Sequence, residues 1–167
     1  MELDALLCNH AEAINNMLYI SGAGIDTANV PPNSPAPYAA NLALGMLVTV
    51  PWTATNQNHE LLVELHREDG QAVDVPTGPD TRNPFEVRMT FNVGRPPGLT
   101  AGDDQHVSLA VNLPGLPLPA LGKYVFQISV DGTPLRKLPF RVAWQPGGHF
   151  PFGPATPGPM GMPRPLQ

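Results

Sequence analysis

A single cysteine, Cys8, stands among 167 residues and has no partner for an internal disulfide. Charge is scarce too: Asp, Glu, Lys and Arg make up 14% of the chain, against the ~25% usual for a soluble domain. Nine Lys and Arg face fourteen Asp and Glu, for a formal net charge of −5, and no stretch gathers the bases into a stripe. Nucleic acid is therefore not an expected partner. No apolar run approaches the ~18 residues of a membrane-spanning helix, so no membrane partner is expected. No basic stretch leads into an apolar run at the start, which argues against a secretory signal. Together these absences favour a cytoplasmic protein.

Turns, by contrast, are plentiful: 22 prolines and 16 glycines punctuate short runs of alternating polarity. The clearest lies between Gly122 and Trp144. Tyr124, Phe126, Ile128 and Val130 fall on one face of an extended chain, while Val125, Gln127, Ser129 and Asp131 fall on the other. Asp131-Gly132 supplies a tight turn, and Leu138, Phe140, Val142 and Trp144 return on every second residue. Gly122-Lys123-Tyr124 just before the strand is similar to the corner tyrosine of immunoglobulin-like sandwiches, whose hydroxyl ties back to the backbone.

The same period recurs upstream. Leu3, Ala5 and Leu7 alternate with Asp4, Leu6 and Cys8. Asn9 to Asn16 is small and polar, either a turn centred on Asn15-Asn16 or a short helical turn. Met17 to Asp26 predicts a second strand, with Gly22 and Gly24 marking a bulge or a close backbone approach. The proline-rich segment from Val30 to Tyr38 suits a passage from one sheet to another. Further strands are expected over Asn41–Val50, Glu60–Arg67, Phe85–Val93 and His106–Leu113, with a short return after the Asp69-Gly70 turn. Pro76 to Pro84, Gly94 to Asp104 and Pro114 to Ala120 are expected as loops or bends.

The expected fold is all-β: a single antiparallel β-sandwich, immunoglobulin-like or C2-like, of about eight strands over residues 1–144. Helix should be near zero. Residues 145–167 form a Pro/Gly-rich C-terminal tail, too poor in branched and aromatic residues to fold alone. The tail still carries Phe150, Phe152, Met160 and Met162, which makes it a candidate docking arm.

No motif carries recognisable chemistry. Of the five histidines only His59 and His66 are close in sequence, and that spacing puts them on opposite faces of a strand, roughly 20 Å apart if extended. Surface histidines are expected, not a metal site. Cys8 lies in a strand with no neighbouring base to activate it, so it is expected to be structural. There is no G-x-S-x-G elbow. Ser21-Gly22-Ala23-Gly24 lacks both the dinucleotide and the P-loop pattern. Glu60, Glu64 and Glu86 fit a solvated strand face, and Asp103-Asp104 lacks the rest of a calcium loop. Neither metal nor cofactor is expected, and the chain is not expected to be an enzyme. The exposed aromatic is Trp52, beside Asn56, Gln57 and Asn58. It could stack on a ligand or partner, or fold back to cap one end of the sheets.

Four segments carry a resemblance: MELDALLCNHAE, LYISGAGID, VPWTATNQNHELLVEL and LPALGKYVFQISVDG. On these the chain resembles a family of small bacterial proteins, common in actinobacteria, grouped as a domain of unknown function. The resemblance spans roughly residues 1–143 and implies a β-sandwich with no catalytic residues to carry over. The expected role is a non-enzymatic protein-interaction or assembly module. Contacts would run through edge strands and the tail, with self-association included. The alternative is a carbohydrate- or small-ligand-binding sandwich using the Trp52 loop.

Overall fold

The structure is a computed structural model and describes residues 1–98 and 100–145. The described residues are all-β apart from a single 3-10 turn at Trp52–Ala54. The strands are β1 (Glu2–Cys8), β2 (His10–Ile14), β3 (Met17–Ser21), β4 (Thr27–Val30), β5 (Tyr38–Val50) and β6 (Asn58–Arg67). They continue as β7 (Asp74–Pro76), β8 (Arg82–Pro84), β9 (Glu86–Asn92), β10 (Gln105–Leu118), β11 (Gly122–Val130) and β12 (Thr133–Trp144).

Two larger sheets share one core. A three-stranded sheet has the order β1-β5-β10, and a five-stranded sheet the order β4-β12-β11-β6-β9. Alternation decides which side chains turn inward. Leu3, Ala5 and Leu7 of β1 and Leu42, Leu44, Met46, Val48 and Val50 of β5 are buried in the same cluster as Leu61, Val63 and Leu65 of β6. Tyr124, Phe126, Ile128 and Val130 of β11 complete it, with Phe140 stacked 5.3 Å from Phe126 and 5.7 Å from Tyr124. The Tyr124 hydroxyl donates to the Ala120 carbonyl at 2.7 Å and accepts from the Ala120 N–H at 3.2 Å, the corner tie expected from the sequence.

The proline-rich segment does cross between sheets, leaving β4 in one and entering β5 in the other. Several expectations need correcting. Pairing is not antiparallel throughout, because β4 runs parallel to β12 from Thr27↔Arg141 to Val30↔Trp144. The chain reaches that position from β1: Gly24 and Ile25 donate to the Leu7 carbonyl before Thr27–Val30 lies along β12. Asn9 to Asn16 is neither loop nor helical turn in its first half. His10–Ile14 pairs with Met17–Ser21 through a two-residue turn at Asn15 and Asn16, both at positive φ (51° and 59°). Pro76 to Pro84 supplies the turn and the second strand of the β7–β8 hairpin, and β10 continues past Leu113 through an irregularity to Leu118.

The β2–β3 hairpin lies on the outer face of the three-stranded sheet, where the strand faces offer only small residues. Cys8, Ala43 and Ala11 are fully buried there, with Ile20 and Ala110 against them. Gly45 makes the approach possible: a Cβ on it would lie 2.7 Å from Ile20 Cδ1 and 2.9 Å from Cγ1. Gly45→Val should therefore lift the hairpin and cost about 1–3 kcal/mol as overpacking, read from the urea midpoint. Ile20→Val, which removes the blocking Cδ1, should recover part of the loss in the double variant. A double variant no more stable than Gly45→Val would refute this packing.

Candidate functional site

The loop after β5 brings the expected contact residues to one end of the sheets. Trp52 stands on the 3-10 turn, half-buried, with the Arg95 guanidinium carbon 4.2 Å from its ring centroid. Arg95 Nη2 donates to the Trp52 carbonyl at 3.0 Å, and Nε donates to Thr55 Oγ1 at 2.5 Å. Thr55 Oγ1 itself donates to the Trp52 carbonyl at 2.7 Å. One face of the indole is thus committed to an internal cation. Asn56, at φ 60°, donates its N–H to the Val93 carbonyl at 2.7 Å, and Asn58 Oδ1 accepts from Asn92 Nδ2 at 3.0 Å. Gln57 is exposed beside them. Phe150, Phe152, Met160 and Met162 lie outside the described residues.

Behind this loop is an arrangement that the sequence reading missed. His59, expected at the surface, is 2% exposed and packs 5.3 Å from the Phe91 ring. Its Nδ1 meets Asp131 Oδ2 and its Nε2 meets the Ala54 carbonyl, both at 2.7 Å. Both partners are acceptors, so the bonds are complete when each ring nitrogen donates. Asp131 Oδ1 accepts from the Glu60 N–H at 2.9 Å, and the Asp131 N–H donates to the Glu60 carbonyl at 2.9 Å. The imidazole therefore ties the β11–β12 turn to the start of β6 and to the Trp52 turn. Asp131-Gly132 reads in sequence as a turn and nothing more. The one available signal was that its first residue is an acid at the end of an inward-facing strand.

Both ring nitrogens of His59 are occupied in this tie. Several other polar groups are engaged too, while the buried Nε2 of His66 has no hydrogen-bond partner. Arg88 joins Glu60 at 2.9 Å and Glu86 at 3.1 Å on an exposed strand face. The Arg88 hydrogen bond lowers the Glu86 carboxyl below its usual value. Asp103 Oδ2 accepts from the Thr100 N–H of its own loop. Burial pushes the Cys8 thiol above its ordinary value, and its Sγ donates to the Ala43 carbonyl at 3.5 Å. Among the described residues no three His, Cys, Asp or Glu groups are placed to hold a metal ion, and no helix is long and apolar enough to cross a membrane.

A family described as a family of unknown function, DUF6941, matches residues 3–143, from within β1 to within β12. The chain belongs to that family. No curated protein and no solved structure matches this DUF6941 chain. The matched span takes in the Trp52 loop, the His59–Asp131 tie and both larger sheets, and it stops short of residues 145–167.

The tie has a pH signature. Burial raises the Asp131 carboxyl, but hydrogen bonds from the Glu60 N–H and the His59 ring, with the ring's charge, outweigh it and leave the carboxyl below its usual value. Its stabilisation is therefore complete above the unfolded-state value of about 3.9 and is lost as pH falls through the folded-state value. Asp131→Asn should cost about 1 kcal/mol at pH 7, a modest figure because the carboxylate is 44% exposed. The gap from wild type should shrink between pH 4 and pH 2 in urea titrations, roughly the range where carboxylates protonate. A gap independent of pH would contradict the assignment.

Proposed function

We propose that this DUF6941 chain is a non-enzymatic protein-interaction or assembly module. We take its two facing sheets as a single sandwich of the immunoglobulin-like or C2-like kind. The observation that carries the proposal is the asymmetry of its flanks. On one side, residues 24–30 cap β1 at the Leu7 carbonyl and then pair along the edge of β12. On the other, β10 and β9 end their sheets, and no described strand pairs with their outer edges. An unpaired edge is the usual ground for recognition by strand addition.

Exposed apolar side chains support the same role. Ile14, Met17 and Tyr19 stand half-exposed on the outer face of the β2–β3 hairpin, where Ile14 pairs with Met17, and Leu6 is similarly exposed on β1. Trp144, 40% exposed, makes an edge contact with Tyr38 at 5.4 Å where the described chain ends. The apolar residues Phe150, Phe152, Met160 and Met162 follow it in sequence and give the tail its place in the proposal. A cytoplasmic setting suits a chain with one buried cysteine. Ligand binding at Trp52 is the second reading. It is weakened by the Arg95 guanidinium already on the ring.

Light scattering after size exclusion tests assembly directly, on the full chain and on a chain ending at Gln145. The cut spares Gln145 because its N–H donates to the Val30 carbonyl at 2.8 Å. The expected result is a defined oligomer that becomes smaller on truncation. Monomers in both cases would end the self-assembly form of the proposal and leave only partner binding.

A further inference from the structure

Two asparagine side chains do the work of a missing strand, Asn112 along the edge of β2 and Asn16 along the outer edge of β10. Asn112 Oδ1 accepts from the Ala11 N–H at 3.1 Å and its Nδ2 donates to the Ala11 carbonyl at 2.8 Å. A carboxamide here takes both main-chain groups of one β2 residue, as a neighbouring peptide would. Further along, Asn16 Nδ2 donates to the His106 carbonyl at 2.6 Å and Asn16 Oδ1 accepts from the Ser108 N–H at 2.9 Å. Strand β10 is thus answered by a second carboxamide at its first residues.

Between these pins the edge is open. In an antiparallel pair a residue's N–H and C=O point to the same side and alternate along the strand. Ser108 turns its N–H away from β5 to reach Asn16, so Ala110 and Asn112 turn theirs the same way. Ala11 turns away from β3 to reach Asn112, so Ala13 does too. No main-chain partner for Ala110, Asn112 or Ala13 on these sides occurs among the described residues. The gap is a groove of about 520 Å³ bounded by Ala13 and Ile14 of β2, Ala110 and Asn112 of β10, and Met89 of β9.

We propose that this groove receives one extended peptide strand from a partner protein, bonded through its main chain to Ala110 and Asn112 of β10. The inference rests on the interaction-module reading and names its surface and the chemistry of its partner. The two carboxamides show that peptide-like groups satisfy these edges. Ile14 and Met89, which both line the groove, offer apolar surface to side chains of the incoming strand. Asn16 ends the slot, because it already holds His106 and Ser108. The chain's own C-terminal residues are poor occupants: 146–167 hold seven prolines, which cannot donate to a ladder, and no stretch between them exceeds four residues. A second copy would bring its own sheet edge to this flank, and the solution mass distinguishes that case below.

The probe is acetyl-Val-Thr-Val-Thr-Val-amide, titrated into the ¹⁵N-labelled full chain and followed by amide shifts and hydrogen exchange. The expected result is saturable shifts at Ala110, Asn112 and Ala13, with exchange at Ala110 slowed about tenfold or more. The same peptide N-methylated at alternate amides should lose the effect, because its side chains are unchanged and its ladder is gone. Ala110→Pro should abolish binding while keeping the fold, since proline is tolerated where the N–H faces away from the sheet. Equal binding of the N-methylated peptide, or no shift at Ala110, would overturn the proposal. Shifts confined to β1 or β9 would overturn the groove but leave the module reading standing. Protection of Ala110 in the free protein, together with a doubled solution mass, would assign the edge to a second copy and overturn it as well.

Discussion

Main-chain hydrogen bonding is the constraint on which the rest of this structure depends. Sheets of three and five strands leave four outer edges, and each carries N–H and C=O groups that must find a partner or water. One flank solves this with chain. The segment from Gly24 to Val30 bonds to Leu7 of β1 and then lies along β12, so two sheets are joined by one short stretch. Its parallel pairing with β12 follows from that route. The other flank is managed with side chains: Asn16 answers part of β10, and Asn112 answers Ala11 of β2.

The hairpin that brings Asn16 to β10 and Ala11 to Asn112 depends in turn on small residues. Ala43, Gly45 and Ala110 keep the outer face of the three-stranded sheet low enough for Ala11 and Ile20 to settle on it. Asn15 and Asn16, both at positive φ, make the turn tight and aim the Asn16 carboxamide at the β10 edge. At the end of the molecule where the Trp52 turn lies, the His59 ring plays a comparable part. It fastens the β11–β12 turn to the Trp52 turn and leaves Trp52 to be covered by Arg95.

Much of the fold was legible because alternation survives in the sequence wherever one face is buried. Leu3, Ala5 and Leu7, the inward residues of β5 and the Tyr124–Val130 run were all identifiable by period alone. The β2 strand was not, because Ala11 and Ala13 carry almost no polarity contrast and Ala11 packs on a second layer instead of the main core. The β7–β8 hairpin was hidden by its prolines, and the β4–β12 pairing is a long-range event that local pattern does not encode. The candidate surfaces were harder still. Trp52 drew attention by residue type, whereas the open edge is defined by main-chain direction, on which an alanine leaves no mark. His59 escaped for a similar reason: its partner Asp131 is distant in sequence and doubles as a turn residue.

Native-state hydrogen exchange of the free full chain, resolved by residue, tests the uneven flanks most directly. The account predicts fast exchange at Ala110 and Ala13, while Leu109 and Val111 on the same strand and Arg141 and Gln145 on the closed flank exchange slowly. Protection at Ala110 equal to that of Leu109 and Val111 would mean that the edge is already paired in solution, and the picture of an open flank would be wrong.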